Sequence, residues 1–224
     1  VQNRRITDTI LNCKLTAYAW EDMYEKGRHI FFRNNEIAGE AAIIHAFLHH
    51  GLFPYESKVA VLGRGNIARG ALKILNFMGA DVTVYDRKTE CLFREELAKY
   101  NVIVNAILWD TSREDHIIYK EDLKKLQKDT LLIDISCDRN GAIETSKATS
   151  IENPIYKVDG ISHYAVDHTP TLFYKTVSKH LSEIVSYYIN FLIEDTENTS
   201  LNNALIICKG EIIDSKIVIS QGRE

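Results

Sequence analysis

Paired cysteines are missing from this sequence. The four present, Cys13, Cys91, Cys137 and Cys208, stand singly among 224 residues with no CxxC. That spacing argues against zinc and dithiol redox sites, so no metal is expected, and reduced, mostly buried thiols in the cytoplasm are. Long apolar runs are missing as well: none approaches the roughly 18 residues of a membrane span. There is no basic excess, since 27 Lys+Arg stand against 31 Asp+Glu for a formal net charge of −4, which argues against nucleic-acid or membrane-surface partners. Proline is scarce, with 3 residues, and no low-complexity tract, internal repeat or targeting segment is visible. What is left is an ordinary globular mixture, 45% hydrophobic and 26% charged. At roughly 100–200 residues per domain its length corresponds to about one and a half domains.

From Lys58 onward, short and nearly all-apolar runs alternate with helical patterns. Residues 58–62, 81–85, 101–107, 130–134 and 160–166 read as strands, and 67–78, 89–99 and 120–126 as helices. Strands apolar on both faces, separated by helices, imply a parallel sheet covered on both sides. The expected fold is therefore α/β, a doubly wound (Rossmann) sheet. Upstream, 14–20 alternates as a strand, 29–33 reads as a second one, and 36–50 as a helix capped by Asn34 or Asn35 and stopped by Gly51. Downstream, 176–193 is the longest predicted helix, and 204–208 with 212–219 reads as a hairpin. The expected organisation is a remnant of a substrate lobe at 1–35, the dinucleotide-binding domain at 36–175, and a helix and hairpin returning to the substrate lobe at 176–224.

The strongest local motif is Gly63-Arg-Gly65-Asn66-Ile67-Ala68-Arg-Gly70, a GxGxxA pattern after a strand and before a helix. In that context Gly63 allows a tight turn and Gly65 a close approach of backbone to a pyrophosphate. Ala68 lets helix and strand pack closely, and the helix start at Asn66 and Ile67 offers N–H groups to phosphate. Asp86 follows the first glycine at the spacing of a ribose-binding carboxylate, which favours NAD. Arg87 and Lys88 come directly after it, and such a pair favours the 2′-phosphate of NADP. Polar residues gather where the later strands end: 105–109, 134–141 and 159–170. Ala106, Ile107, Val166, Asp167 and His168 are expected cofactor contacts. Asp138 and His168 are the candidates for proton transfer. His163 reads as structural.

Taken together, Asn35-Glu36-Ile-Ala38-Gly39, the glycine motif, Ile133–Glu144, Asn153–Gly160 and His163–Pro170 resemble the alanine dehydrogenase and saccharopine dehydrogenase superfamily, which includes the nucleotide domain of proton-translocating transhydrogenases. Alanine dehydrogenases usually carry Ala-Asn where this chain has Asp167-His168, and that departure moves the resemblance towards the opine-forming and saccharopine-forming branch. The resemblance implies an oxidoreductase using NADPH, with NADH as the alternative. It would reductively condense pyruvate with the side-chain amine of ornithine or lysine to give an N-(carboxyethyl)amino acid, with Asp138 managing protons. Alanine dehydrogenase and lysine–ketoglutarate reductase chemistry are the alternatives within that class, and a non-catalytic NAD(P)H-binding module is the alternative outside it. The resemblance also implies a homo-oligomer and a catalytic histidine from a first lobe upstream of Val1–Gln2, so the chain is expected to be a C-terminal portion of a longer enzyme.

Overall fold

The computed structural model describes residues 3–110, 113–138 and 140–223, so Val1, Gln2 and Arg139 lie outside the described residues. Two compact units divide the chain: residues up to Phe32 together with those from Lys179 on, and Arg33–Ser178.

The first unit begins with α1 (Arg4–Asn12), capped by the Asn3 side chain, which accepts from the Arg5 and Ile6 amides. The strand expected over 14–20 contracts to β1 (Ala17–Tyr18), because Lys14 turns the backbone at φ +52° and residues 20–22 coil into a 3-10 turn. A hairpin of β2 (Tyr24–Glu25) and β3 (Arg28–His29) follows. It turns on Lys26 and Gly27, both at positive φ, the conformation that a two-residue hairpin needs. The strand expected over 29–33 stops at His29.

The second unit holds most of α2 (Phe32–His50), which starts earlier than predicted. Asn34 and Asn35 therefore sit in its first turns and do not cap it. Next come β4 (Lys58–Leu62), α3 (Asn66–Phe77), β5 (Asp81–Tyr85), α4 (Glu90–Glu96), β6 (Val102–Asn105), β7 (Leu131–Asp134), β8 (Ile155–Val158) and β9 (Ile161–Tyr164). The six strands lie in the order β5-β4-β6-β7-β9-β8. Every neighbouring pair is parallel except β8–β9. The helix predicted over 120–126 is a 3-10 helix, Lys120–Lys125, with the Tyr119 amide donating to Asp122.

The central strands β4, β6, β7 and β9 are buried on both faces, and the strand period of two sorts their side chains. Val59, Val61, Val104, Leu131 and Ile133 pack on the side of α2 and α3, while Ala60, Leu62, Ile103 and Leu132 pack on the side of α4. Helices α2 and α3 meet through glycine. A Cβ added to Gly70 would lie 1.8 Å from the Glu36 carbonyl oxygen, and one added to Gly39 would lie 2.1 Å from that of Ile67. The glycine motif puts the demand for smallness at Ala68, which is fully buried, but the tightest approach is at Gly70.

The first unit resumes within α5 (Tyr174–Ile193), at Lys179, and continues with α6 (Thr199–Ala204), β10 (Leu205–Cys208), β11 (Glu211–Ile212) and α7 (Ser215–Gln221). A small antiparallel sheet runs β1-β10-β11. The second hairpin arm expected over 212–219 is only two residues long. Asp214 accepts from the Lys216 amide and starts α7, so a helix N-cap overrides the β-branched run that follows. Among the described residues no helix is long and apolar enough to cross a membrane.

Candidate functional site

Because β4, β5, β6, β7 and β9 are parallel, their carboxyl ends share one edge of the sheet. The chain leaves β4 for β5 on one side and then returns past it to β6 on the other. Such a reversal opens a crevice above the strand ends, where ligands bind in sheets of this kind. The loops carrying Gly63, Asp86, Ala106, Asp138 and Asp167 all leave from this edge.

Gly63 follows β4 at φ +110°, and its amide donates to the Tyr85 carbonyl at 2.8 Å. A Cβ there would lie 2.8 Å from the Ala106 carbonyl oxygen. Conformation and space thus both require glycine, and Ala106 and Ile107 form the wall that Gly63 abuts. Gly65 differs: it is the N-cap residue of α3, no side chain caps the helix, and a Cβ would meet nothing within 4 Å. The space in front of the helix start, at Asn66 and Ile67, is open. An uncapped helix N-terminus behind a glycine turn is a cradle for a phosphate group.

Asp86, just after β5, is engaged by its own chain. Arg64 Nε donates to its Oδ2 at 2.8 Å, while the Lys88 amide and the Thr89 hydroxyl donate to Oδ1 at 3.0 and 3.2 Å. The Arg64 bond chiefly, with the Lys88 amide and Thr89, holds the carboxyl below its ordinary range. Arg87 and Lys88 are exposed and make no ion pair among the described residues. Within the glycine motif Arg64 carries no role of its own in the sequence pattern, and its place between the two glycines is the signal that marks it.

Past β7 the backbone turns tightly, with Cys137 and Asn140 both at positive φ. A Cβ on Gly141 would lie 2.8 Å from the Asp138 carbonyl oxygen. Asp134 anchors this loop from below. It is 2% exposed and accepts from Asn105 Nδ2 at 2.9 Å, Ser146 Oγ at 2.5 Å and the Cys137 amide at 3.3 Å. Ser146 lies twelve positions away and carried no local signal in the sequence. The Ser136 hydroxyl donates to the Ile107 carbonyl and ties this loop to the one after β6. Asp138 is half-buried. Burial and the nearby Asp134 charge raise its carboxyl above the ordinary range, against the lowering effect of the Trp109 amide. Burial drives the Cys137 thiol up, with Asp134, Asp167 and Asp138 adding to the effect. All three carboxylates thus lie within electrostatic reach of Cys137.

Burial also raises the Asp134 carboxyl, despite the Ser146 and Asn105 bonds. Its folded value lies above the unfolded one, so its contribution to stability is complete below about pH 4 and is lost as pH rises through the folded value. Asp134→Asn carries no charge and should lack that loss. Its stability relative to the parent protein is expected to climb between pH 4 and pH 8 in urea melts. A constant offset at every pH would show that ionisation of Asp134 is not what burial penalises.

After β9, Val166 is buried and pairs as an isolated bridge with Thr149. Asp167 and His168 are exposed at the rim, with His168 Nε2 3.2 Å from Asp167 Oδ2 and His168 at φ +57°. His163 is structural: it is 2% exposed, stacks on Tyr156 at 5.0 Å and lies 2.7 Å from the Thr145 hydroxyl.

Residues 87–223 match the family model of the alanine dehydrogenase/PNT C-terminal domain. An N(5)-(carboxyethyl)ornithine synthase of Lactococcus lactis subsp. lactis is 38% identical over 172 residues, 75% of this chain and 55% of that protein. An alanine dehydrogenase 1 of Staphylococcus aureus (strain NCTC 8325 / PS 47) is 28% identical over 146 residues, 62% of this chain and 39% of that protein. The chain spans about half the length of the carboxyethylornithine synthases it matches. Among solved structures, an L-alanine dehydrogenase superposes with a TM-score of 0.82 at 19% identity, covering 98% of this chain and 72% of that one. A transhydrogenase from Sinorhizobium meliloti gives 0.79 at 16%, covering 94% and 72%. At these identities the likeness is one of fold.

Proposed function

Because the chain belongs to the alanine dehydrogenase/PNT C-terminal-domain family, we propose that Arg33–Ser178 binds NADPH and serves an enzyme that joins pyruvate to the side-chain amine of ornithine or lysine. The observation that carries this reading is the open cradle at Gly65, on the same sheet edge as the loop of Asp138. The greater similarity to the carboxyethylornithine synthase than to the alanine dehydrogenase supports condensation with an amino acid over condensation with ammonia.

In this reading the amides of Asn66 and Ile67 at the start of α3 take the pyrophosphate. The loop from Asp86 to Lys88 meets the adenosine ribose, Ala106 and Ile107 wall the cleft, and Val166–His168 border the nicotinamide. The bound dinucleotide supplies a hydride to the carbon of the imine that pyruvate and the amine form with loss of water. Asp138 holds the proton at the imine nitrogen, and its raised carboxyl keeps that proton available closer to neutral pH than an ordinary carboxylic acid would. His168, held by Asp167 at the rim, exchanges that proton with solvent.

Gly65→Ala separates binding from folding. With nothing for its Cβ to strike, the variant should melt at the parent temperature and bind NADPH tenfold or more weakly by calorimetric titration. Unchanged affinity would remove the loop from the phosphate site. The substrate assignment is tested by following NADPH oxidation with pyruvate and ornithine, lysine or ammonia. Turnover with ammonia alone would sink the condensation reading.

A further inference from the structure

The ribose end of the cleft has an unusual charge arrangement. A carboxylate that is to accept both ribose hydroxyls must offer free oxygens and a free charge. Asp86 has its charge paired by Arg64 and most of its acceptor sites already taken. Its Oδ2 accepts from Arg64 Nε, and its Oδ1 is met by the Lys88 amide and the Thr89 hydroxyl. Arg64, in turn, is 63% exposed in its side chain, and only its Nε is used. Its two Nη groups have no hydrogen-bond partner among the described residues. Arg87 and Lys88 follow in the same loop without carboxylate partners among the described residues. Arg64, Arg87 and Lys88 thus give this end of the cleft three cations against one paired carboxylate, a local excess of two positive charges.

We propose that Arg64 is the residue that selects a 2′-phosphorylated dinucleotide, and that Asp86 positions Arg64 and does not itself bind the ribose hydroxyls. This rests on the dinucleotide site proposed above and adds the basis of its choice of cofactor. The planar guanidinium is anchored through Nε, and its remaining edge is the one that can meet a phosphate with two parallel N–H bonds. Arg87 and Lys88 supply the rest of the compensating charge as exposed, flexible partners. Glycines on both sides of Arg64 leave its side chain unobstructed at the mouth of the loop.

Calorimetric titrations of the parent protein, Arg64→Gln and Asp86→Asn with NADPH, NADH and 2′,5′-ADP test this. The parent is expected to bind NADPH at least tenfold more tightly than NADH. Arg64→Gln should lose about 10–100-fold on NADPH and 2′,5′-ADP and stay within about twofold on NADH. Asp86→Asn should weaken NADPH a few-fold, through the lost anchor, and leave NADH unchanged. A thermal melt checks that each exposed substitution keeps the fold. Equal weakening of NADPH and NADH by Arg64→Gln overturns the selection role and leaves the dinucleotide site standing. So does a parent that prefers NADH and loses it in Asp86→Asn. Binding of no dinucleotide by the folded parent overturns the dinucleotide site itself, and this inference with it.

Discussion

Asp138→Asn is expected to lower turnover in the pyruvate–amine assay by about 10²–10⁴-fold, the usual span for one general acid or base, while NADPH affinity stays within about twofold. The reason is local. The carboxyl sits half-buried beside Asp134 and is raised above its ordinary range, chiefly by burial, so it holds a proton at pH values where an exposed aspartate has lost it. Asparagine keeps the shape and one acceptor for the Trp109 amide but cannot transfer the proton. The pH profile gives a second reading. Activity that needs the protonated acid declines as pH rises through its folded value, and that limb should vanish from whatever activity the variant retains. Undiminished turnover with an unchanged pH profile would take Asp138 out of the chemistry.

Gly70→Ala is expected to destabilise the protein by about 3 kcal/mol, the upper part of the usual range for overpacking a rigid contact. For a chain of this size that corresponds to a fall in melting temperature of about 10 °C. The new methyl would lie 1.8 Å from the Glu36 carbonyl oxygen. Its obstacle is helix backbone and not the end of a flexible side chain, so α2 and α3 must separate. The ion pairs beside the crossing, Arg69–Glu36 at 2.7 Å and Lys73–Glu40 at 2.9 Å, lie at the surface and offset little of that. Since α3 begins at the glycine loop, NADPH affinity should fall along with stability. Gly65→Ala is the control, altering the same loop without a clash. A Gly70→Ala protein that melts at the parent temperature would show that the helices are not in the contact described.

The sheet was legible because its cause is local and repeated. Strands buried on both faces must be apolar throughout, and the glycines after Leu62 mark the place where such a strand turns into a helix. The chain ends were less legible. The run after Ile212 has the β-branched residues of a strand, yet Asp214 caps a helix there. Asn3 and Asn198 cap α1 and α6, which the alternation of apolar residues did not reveal. At these places a single side-chain oxygen satisfying helix amides outweighs propensity.

By itself the sequence determined the α/β class, the position of the glycine turn and the set of polar loops at the strand ends, because each follows from which residues can be buried or can turn. Tertiary structure alone decided the rest. It placed Arg64 on Asp86 across 22 positions, Ser146 and Asn105 on the buried Asp134, and Gly70 against Glu36. Those pairings depend on how far apart the sheet holds neighbouring strand ends and helices, and no pattern within a single strand or helix records that distance.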